Sequence, residues 1–250
     1  MIDSNLHTSA VITGASRGIG LAIAKKLAGQ GVALTISSRT AADLEALAPQ
    51  LRSLGAPSVT PIAADMADPE SLPAIIESHR EANTDLSALI VNAGVGSAGT
   101  VGEYALRRLD KTMAINFRAP FQLIQSALPL LRAAAERHHE VGAKIVVLSS
   151  ITGVYAEPAL AAYGASKAAL ISLVEALNIE ESAAGVCATA VAPGYVDTDM
   201  AAWVHDRIPP QSMIPADDVA AVVQTVLALS RRTTLGPIVM ARAGSGGHCA

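Results

Sequence analysis

The sequence predicts an α/β fold in which a seven-stranded, mainly parallel sheet is flanked by helices. Apolar runs alternate with segments of helical period, and this alternation is typical of βα units. The chain is 51% hydrophobic but only 3% aromatic, so its core consists of Ala, Val, Leu and Ile, which fill parallel strands buried on both faces. Since 250 residues suit one α/β domain, we expect residues 1–250 to form a single domain.

The elements follow from the chain in order. Short apolar runs predict strands near residues 9–13, 32–37, 58–64, 87–92, 143–150, 186–193 and 237–242. Between them, helices are predicted to begin near Gly18, Ala41, Pro69, Val101, Ala161 and Ala216. The helix that begins near Val101 is predicted to be long, ending near His138. The last eight residues, AGSGGHCA, are rich in glycine and their structure is the hardest to predict.

Charge and hydropathy argue against several classes of partner. The net charge is -4 and no block of like charges occurs, so we expect neither nucleic acid nor a membrane as a partner. The N-terminal residues include Asp3 and lack the basic and apolar regions of a secretory signal, which predicts a cytoplasmic protein. The apolar stretch 219–229 is broken by Gln224 and is shorter than the roughly 18 to 20 residues of a membrane span.

The cysteines and histidines do not suggest a metal site. Cys187 and Cys249 are far apart and lack C-x-x-C spacing, so we expect two reduced thiols. His138 and His139 are adjacent, and on a helix their side chains would point about 100° apart. With no third ligand nearby, these histidines are expected to form a solvated helix end, and no metal is predicted.

A glycine-rich turn, TGASRGIG at residues 13–20, joins the first strand to the first helix. Gly14, Gly18 and Gly20 lack the Cβ atoms that would keep a pyrophosphate away from the backbone, and the helix N-terminus offers free N–H groups. The G-x-x-x-G-x-G spacing differs from the G-x-G-x-x-G fingerprint, but the strand, turn and helix context is the same. Glycines also close ordinary βα turns; their clustering here favours a phosphate site.

Tyr163 and Lys167 are four positions apart in YGASK, inside a predicted helix. Their Cβ atoms would be about 5 to 6 Å apart, so the phenol and the ammonium could act on one site. Such a pair also arises by chance, and alone it is weak support for a function.

Together the motifs resemble the short-chain dehydrogenase/reductase family over residues 8–240. The matching motifs are TGASRGIG, DMAD at 65–68, NAG at 92–94, MAINF, VVLSS, YGASK and the APG that precedes Tyr195. Ser150 lies thirteen residues before Tyr163, the spacing usual in that family. The resemblance implies a Rossmann-type, doubly wound single domain, with a cofactor half near 8–150 and a catalytic and substrate half near 150–242.

The resemblance also implies a catalytic set of Asn116, Ser150, Tyr163 and Lys167. Tyr163 would protonate a carbonyl oxygen that receives hydride at its carbon, and Ser150 would hydrogen-bond the same oxygen. A tyrosine pKa of about 10 is far from neutral, and Lys167 is expected to lower it. Asn116 would shape the long helix and hold a water linked to Lys167. Taken alone, Ser150 is more simply explained as a strand-end serine, and Asn116 as a buried amide.

The end of the second strand predicts NADP(H) as the cofactor. An acid there favours NAD and repels a 2'-phosphate, for which arginine is the better partner. This chain has Ser38 followed by Arg39, and in the family Arg17 can reach the same phosphate. The alternative is that Arg39 is a solvated surface side chain. The expected cofactor contacts are Gly14, Ser16, Arg17, Gly18, Ile19, Gly20, Ser38, Arg39, Asp65, Met66, Asn92, Ala93, Gly94, Tyr163, Lys167, Pro193, Gly194, Val196 and Thr198.

The predicted function is NADPH-dependent reduction of a ketone or aldehyde, with a 3-oxoacyl thioester among the candidate substrates. Two alternatives stay open: an alcohol dehydrogenase working in the oxidative direction, and a non-catalytic NADP-binding sensor or scaffold. The intact catalytic set favours an enzyme, because a binding protein needs no tuned acid. Substrate choice depends on residues 96–104, 154–160 and 195–213. A homodimer or homotetramer is expected, since the long helix resembles the one through which relatives dimerise.

Overall fold

The computed structural model describes residues 8–83 and 85–246, and within them seven strands form one parallel sheet. The sheet order is β3-β2-β1-β4-β5-β6-β7. The strands are β1 Ser9–Thr13, β2 Ala33–Ser38, β3 Val59–Ala63, β4 Ala88–Val91, β5 Ala143–Leu148, β6 Val186–Pro193 and β7 Ile238–Met240. The predicted seven-stranded α/β fold is confirmed, and the sheet is parallel throughout these residues.

The described part of the chain forms seven α-helices, and six of them cover the two faces of the sheet. They are α1 Gly18–Ala28, α2 Ala41–Leu54, α3 Pro73–Ala82, α4 Leu106–Met113, α5 Ala119–Arg137, α6 Ala161–Glu181 and α7 Ala216–Leu227. Buried side chains of α1, α2 and α7 form one apolar layer with the sheet, and those of α3, α5 and α6 form the other. No helix among the described residues is long and apolar enough to cross a membrane.

The order of the strands reverses beside β1. β2 and β3 lie on one side of it, while β4 and the later strands lie on the other. In an open parallel sheet, the loops that leave the carboxyl ends of the strands on either side of such a reversal diverge and leave a crevice. The loops after β1 and β4 border this crevice.

Two helix predictions were wrong. α3 begins at Pro73 and not near Pro69, because side-chain bonds hold the preceding turn: Asp68 Oδ1 accepts from Glu70 N at 3.1 Å, and Ser71 Oγ donates to Asp68 O at 2.9 Å. The predicted helix 101–138 is divided into a 3-10 turn at Val101–Glu103, α4, a π-turn at Ala114–Arg118, and α5.

The prediction of a solvated end at His138 was also wrong. Its ring Nε2 lies 2.8 Å from Asp85 Oδ2, and Asp85 is 5% exposed. Asp85 Oδ1 also accepts from Thr8 Oγ1 at 2.9 Å. Fully buried His79 continues this network: its Nε2 donates to Asp85 O at 2.8 Å, and its Nδ1 lies 2.9 Å from Thr35 Oγ1. These hydrogen bonds connect the start of β1, strand β2, helix α3 and the end of α5 near the amino edge of the sheet.

The prediction of two reduced thiols can be compared with the structure at one of the two cysteines. Cys187 is a free, buried thiol in β6, and its Sγ lies 3.4 Å from the carbonyl oxygen of Arg231. Cys249 lies outside the described residues.

Candidate active site

The glycine-rich turn and the NAG motif are joined at the crevice. Asn92 Nδ2 donates to the carbonyl oxygens of Thr13 and Gly14 at 3.0 and 3.1 Å. The Thr13 hydroxyl accepts from the backbone N–H groups of Asn92 and Ala93, both at 3.1 Å. A Cβ at Gly20 would lie 2.1 Å from Gly14 O, so only glycine lets helix α1 begin this close to the turn. The N-terminus of α1 therefore faces the crevice with no acidic residue in its first turn.

The residues expected to select the cofactor lie around this turn and at the end of β2. Ser38 is partly exposed, and its hydroxyl lies 3.3 Å from Thr40 O. The exposed Arg39 side chain has no hydrogen-bond or ion-pair partner among residues 8–83 and 85–246. Arg17 differs, because its Nη1 lies 3.2 Å from Asp199 Oδ2.

The other expected cofactor residues line the same edge or pack beside it. Ser16 and Ile19 are partly buried, and Ile19 packs against the core. After β3, exposed Asp65 accepts from Ala67 N at 2.9 Å, while Met66 packs against the core.

Asn116 lies in the π-turn between α4 and α5 and is fully buried. Its Oδ1 accepts from Val95 N at 2.9 Å, and its Nδ2 donates to Val95 O at 3.0 Å and to Ser166 Oγ at 3.1 Å. The widened turn thus fixes Asn116 between the loop after β4 and helix α6. Its contact on α6, Ser166, directly precedes Lys167 in the chain. A π-turn inside a helix is rare and is frequently found at functional sites.

Lys167 is 5% exposed, and its Nζ donates to Leu148 O at 2.8 Å. The same atom lies 5.7 Å from the ring centroid of Tyr163, so the pair four positions apart in the sequence also meets in space. Burial lowers the pKa of Lys167 to about 8. A Cβ at Gly94 would lie 3.4 Å from Lys167 Nζ and 3.2 Å from Asn116 Oδ1. Gly94 therefore leaves room for these two polar groups.

Ser150 follows β5 and is 7% exposed. Its Oγ accepts from Thr152 N at 3.2 Å and from Thr152 Oγ1 at 2.9 Å. Burial raises the pKa of the Tyr163 phenol, and a hydrogen bond with Ser150 opposes that shift. The expectation that Lys167 lowers the pKa of Tyr163 does not hold here, because desolvation of the buried phenol raises this pKa and the hydrogen bond with Ser150 only partly opposes it. The phenol is accordingly protonated at neutral pH.

The sequence that forms this site matches the model of a known protein family. Residues 8–208 match the model described as short chain dehydrogenase. The chain belongs to the short-chain dehydrogenase family. It is accordingly an oxidoreductase of a family that binds nicotinamide cofactors.

Individual relatives of this dehydrogenase include a sepiapterin reductase of Chlorobaculum tepidum, 34% identical over 228 residues, which are 88% of this chain and 91% of the relative. A 3-oxoacyl-[acyl-carrier protein] reductase from Brucella melitensis, solved in complex with NAD, superposes with a TM-score of 0.85 at 30% identity, covering 93% of this chain and 94% of the other. A short chain dehydrogenase from Burkholderia cenocepacia in complex with NADP has a TM-score of 0.82 at 32% identity, covering 96% and 97%.

Residues 197–213, which we call the lid, lie over the crevice of this dehydrogenase. The lid is anchored at both ends, since Asp197 N donates to Ile214 O and Ile214 N to Tyr195 O, both at 2.9 Å. Four of its apolar residues, Ala201, Val204, Ile208 and Met213, form a small cluster with Tyr195, which lies just before the lid.

The lid contacts both halves of the cofactor crevice. A Cβ at Gly18 would lie 3.1 Å from the Thr198 methyl group, and a Cβ at Gly96 would lie 3.4 Å from Met200 Cγ. The Thr198 hydroxyl donates to Val196 O at 3.3 Å. The backbone that enters the lid is fixed by Gly194 N, which donates to Met240 O at 2.8 Å, and by Pro193, which pairs with Met240 in the sheet.

Two acidic residues of the site were missed by the sequence reasoning. One is Asp199, and the other is Glu157, whose Oε1 accepts from the Tyr195 hydroxyl at 3.0 Å and lies 3.7 Å from Arg207 Nη2. Burial and the charge of Glu157 raise the pKa of Tyr195 to about 12. Glu157 is the only acidic residue between Ser150 and Tyr163 in the sequence, and this position could have indicated that it belongs to the site.

No group of three His, Cys, Asp or Glu side chains in the described part of the chain is arranged to hold a metal ion.

Proposed function

We propose that this dehydrogenase is an NADPH-dependent reductase that converts a ketone or aldehyde to an alcohol, with Tyr163 as the proton donor. The observation that carries the proposal is the convergence of Ser150, Tyr163, Lys167 and Asn116 beside the glycine-rich turn. A dinucleotide fits this edge, because the glycines leave the backbone open and the N-terminus of α1 faces the crevice. When bound, NADPH supplies the hydride.

The protonated state of Tyr163 supports the reductive direction. A phenol with a pKa at or above its ordinary value of about 10 holds its proton at neutral pH, so Tyr163 has a proton to give to a carbonyl oxygen that gains negative charge. Ser150 Oγ accepts two hydrogen bonds from Thr152, so its own O–H is its remaining donor; it points to the Tyr163 phenol and would turn to the carbonyl oxygen of a bound substrate. That O–H is suited to stabilise the developing oxyanion.

Lys167 and Asn116 are proposed to assist Tyr163, the proton donor, from positions beside it and not by contact with the substrate carbonyl. Lys167 has a pKa of about 8, so it is mostly charged at neutral pH yet able to release a proton to its surroundings. Asn116 is committed to Val95 and Ser166 and thereby holds the loop after β4 against α6. Its role in holding a water next to Lys167 remains a prediction.

The preference for NADPH rests on charge. Ser38 leaves the end of β2 neutral, and exposed Arg39 is available to a 2'-phosphate. We expect kcat/KM for NADPH to exceed that for NADH, and Arg39→Ser to reduce the difference by lowering only the NADPH value. Arg52→Ser is the matched control, because Arg52 Nη2 is already bound to Val59 O at 2.7 Å. A higher kcat/KM with NADH in the unaltered protein would contradict the preference.

The decisive experiment follows NADPH absorbance with a panel of ketones, keto esters and an acetoacetyl thioester. The unaltered protein is compared with Tyr163→Phe, which keeps the ring and removes the proton donor. Turnover by the unaltered protein, with turnover lost and NADPH binding retained in the variant, supports the proposal. Tight NADPH binding without reduction of any substrate would instead favour a sensor.

We further propose one domain, a cytoplasmic location and a homodimer or homotetramer. Support for self-association comes from exposed apolar side chains on α4, α5 and α6: Leu106 is 73% exposed, Phe121 46% and Ile179 86%. A contiguous patch of exposed apolar side chains marks an interaction site, and we expect these three to belong to one. Sedimentation velocity at several concentrations tests this; a purely monomeric protein would contradict it.

A further inference from the structure

Arg17, which precedes the first helix, is held by the lid. Its Nη1 lies 3.2 Å from Asp199 Oδ2, although the two residues are 182 positions apart in the chain. The side chains are 69% and 78% exposed, so water and small anions can reach both. Next to this pair, the Thr198 methyl group lies over Gly18. The lid therefore closes onto the phosphate-binding turn through one ion pair and one adjoining apolar contact.

The two arginines proposed for the 2'-phosphate differ in their surroundings. The Arg39 side chain has no hydrogen-bond or ion-pair partner in the described ranges. Arg17, in contrast, already forms an ion pair with the carboxylate of Asp199. A guanidinium binds a carboxylate or a phosphate through the same N–H groups. A phosphate near Arg17 must therefore share these donors with Asp199 or displace it.

We propose that Asp199 competes with the 2'-phosphate of the cofactor for Arg17, so that Asp199 sets the preference between NADP(H) and NAD(H) and couples it to the position of the lid. This inference rests on the proposed cofactor. When the phosphate takes the Arg17 donors, Asp199 loses its partner and the lid loses its contact with the glycine-rich turn. NAD(H), which lacks this phosphate, leaves the pair intact.

Binding of NADP⁺ and NAD⁺ by calorimetry tests the competition without turnover. An exposed ion pair contributes little, so Asp199→Asn is expected to tighten NADP⁺ binding by about two- to fivefold and to leave NAD⁺ binding unchanged. The gain should be larger at low ionic strength, where exposed charges are screened less. In an Arg17→Gln background the same substitution should have no effect on either nucleotide.

Asp206→Asn is the matched control. Asp206 is exposed and belongs to the lid, so this variant removes the same charge from the same segment without contacting Arg17. Equal tightening in both variants would show a general charge effect and overturn the proposal.

The lid itself can be observed through Trp203, the only tryptophan of the chain. Trp203 lies in the lid, is 58% exposed and packs edge-on against Tyr195 with ring centroids 6.1 Å apart. Adenosine 2',5'-bisphosphate should change its fluorescence, whereas adenosine 5'-monophosphate should not. In Arg17→Gln the two should give the same response.

The outcomes separate this inference from the proposed function. If the unaltered protein binds neither nucleotide, the proposed function fails. If it binds NADP⁺ but Asp199→Asn leaves the ratio of the two affinities unchanged, only the competition is refuted. Persistence of the Asp199→Asn effect in the Arg17→Gln background would refute it as well.

Discussion

Gly164 determines how closely helix α6 approaches the turn that follows Ser150. A Cβ at position 164 would lie 2.7 Å from Thr152 O, which is a backbone atom and cannot rotate away. Gly164 is next to Tyr163, and Thr152 holds the Ser150 hydroxyl. The substitution Gly164→Ala should therefore separate the two parts of the catalytic group.

The structure gives the size of the effect. Ordinary contact begins near 3.4 Å, so α6 and the turn must separate by 3.4 minus 2.7, or 0.7 Å. Overpacking costs about 1 to 3 kcal/mol, and alanine in place of glycine in a helix returns about 1 kcal/mol. The net loss of stability is then about 0 to 2 kcal/mol. Misplacement by about 1 Å costs on the order of 100-fold in rate, so kcat/KM should fall by about 10- to 100-fold.

Two measurements on Gly164→Ala test this reasoning: kcat/KM with the best substrate of the panel, and the free energy of unfolding in urea. Gly236→Ala is the control, because its Cβ would meet no atom within 4 Å and its φ is not in the left-handed region. An active Gly164→Ala protein within about twofold of the unaltered kcat/KM would refute the proposed link between helix approach and catalysis.

Three further predictions concern other parts of the fold. Gly20→Ala should prevent nucleotide binding, since its Cβ would collide with Gly14 O; calorimetry on folded protein checks this. Thr152→Val should lower kcat about tenfold with little change in nucleotide affinity, because the Thr152 hydroxyl no longer donates to Ser150 Oγ and the Ser150 side chain is held less firmly. An unchanged kcat would contradict this prediction. Burial lowers the pKa of His79, so the unfolded chain binds the proton more tightly and stability should fall as the pH drops below about 6.5. Urea unfolding between pH 8 and 5.5 tests this, with His139→Gln as a control that should keep the trend.

The sequence predicted those elements that have local signals. Helices α1, α2, α6 and α7 begin at the predicted residues Gly18, Ala41, Ala161 and Ala216, because the alternation of apolar runs and helical periods is clear there. The predicted strands also agree with the observed ones to within a few residues.

The features that the sequence did not predict depend on contacts between distant residues. The π-turn forms around Asn116, whose amide is bound by Val95 and Ser166. The pair of Arg17 and Asp199 requires the lid to fold back across the crevice. Likewise, desolvation of Tyr163 depends on the packing around it, so its raised pKa could not be derived from the neighbouring lysine alone.

The anchoring of the lid has an evolutionary consequence. Because Tyr195, Asp197 and Ile214 join its two ends by backbone hydrogen bonds, the attachment does not depend on which side chains lie between them. Apolar residues of the lid also pack against one another and against Tyr195. Substitutions and length changes between residues 197 and 213 therefore leave these anchoring hydrogen bonds in place, so this segment can vary without disturbing the sheet beneath it.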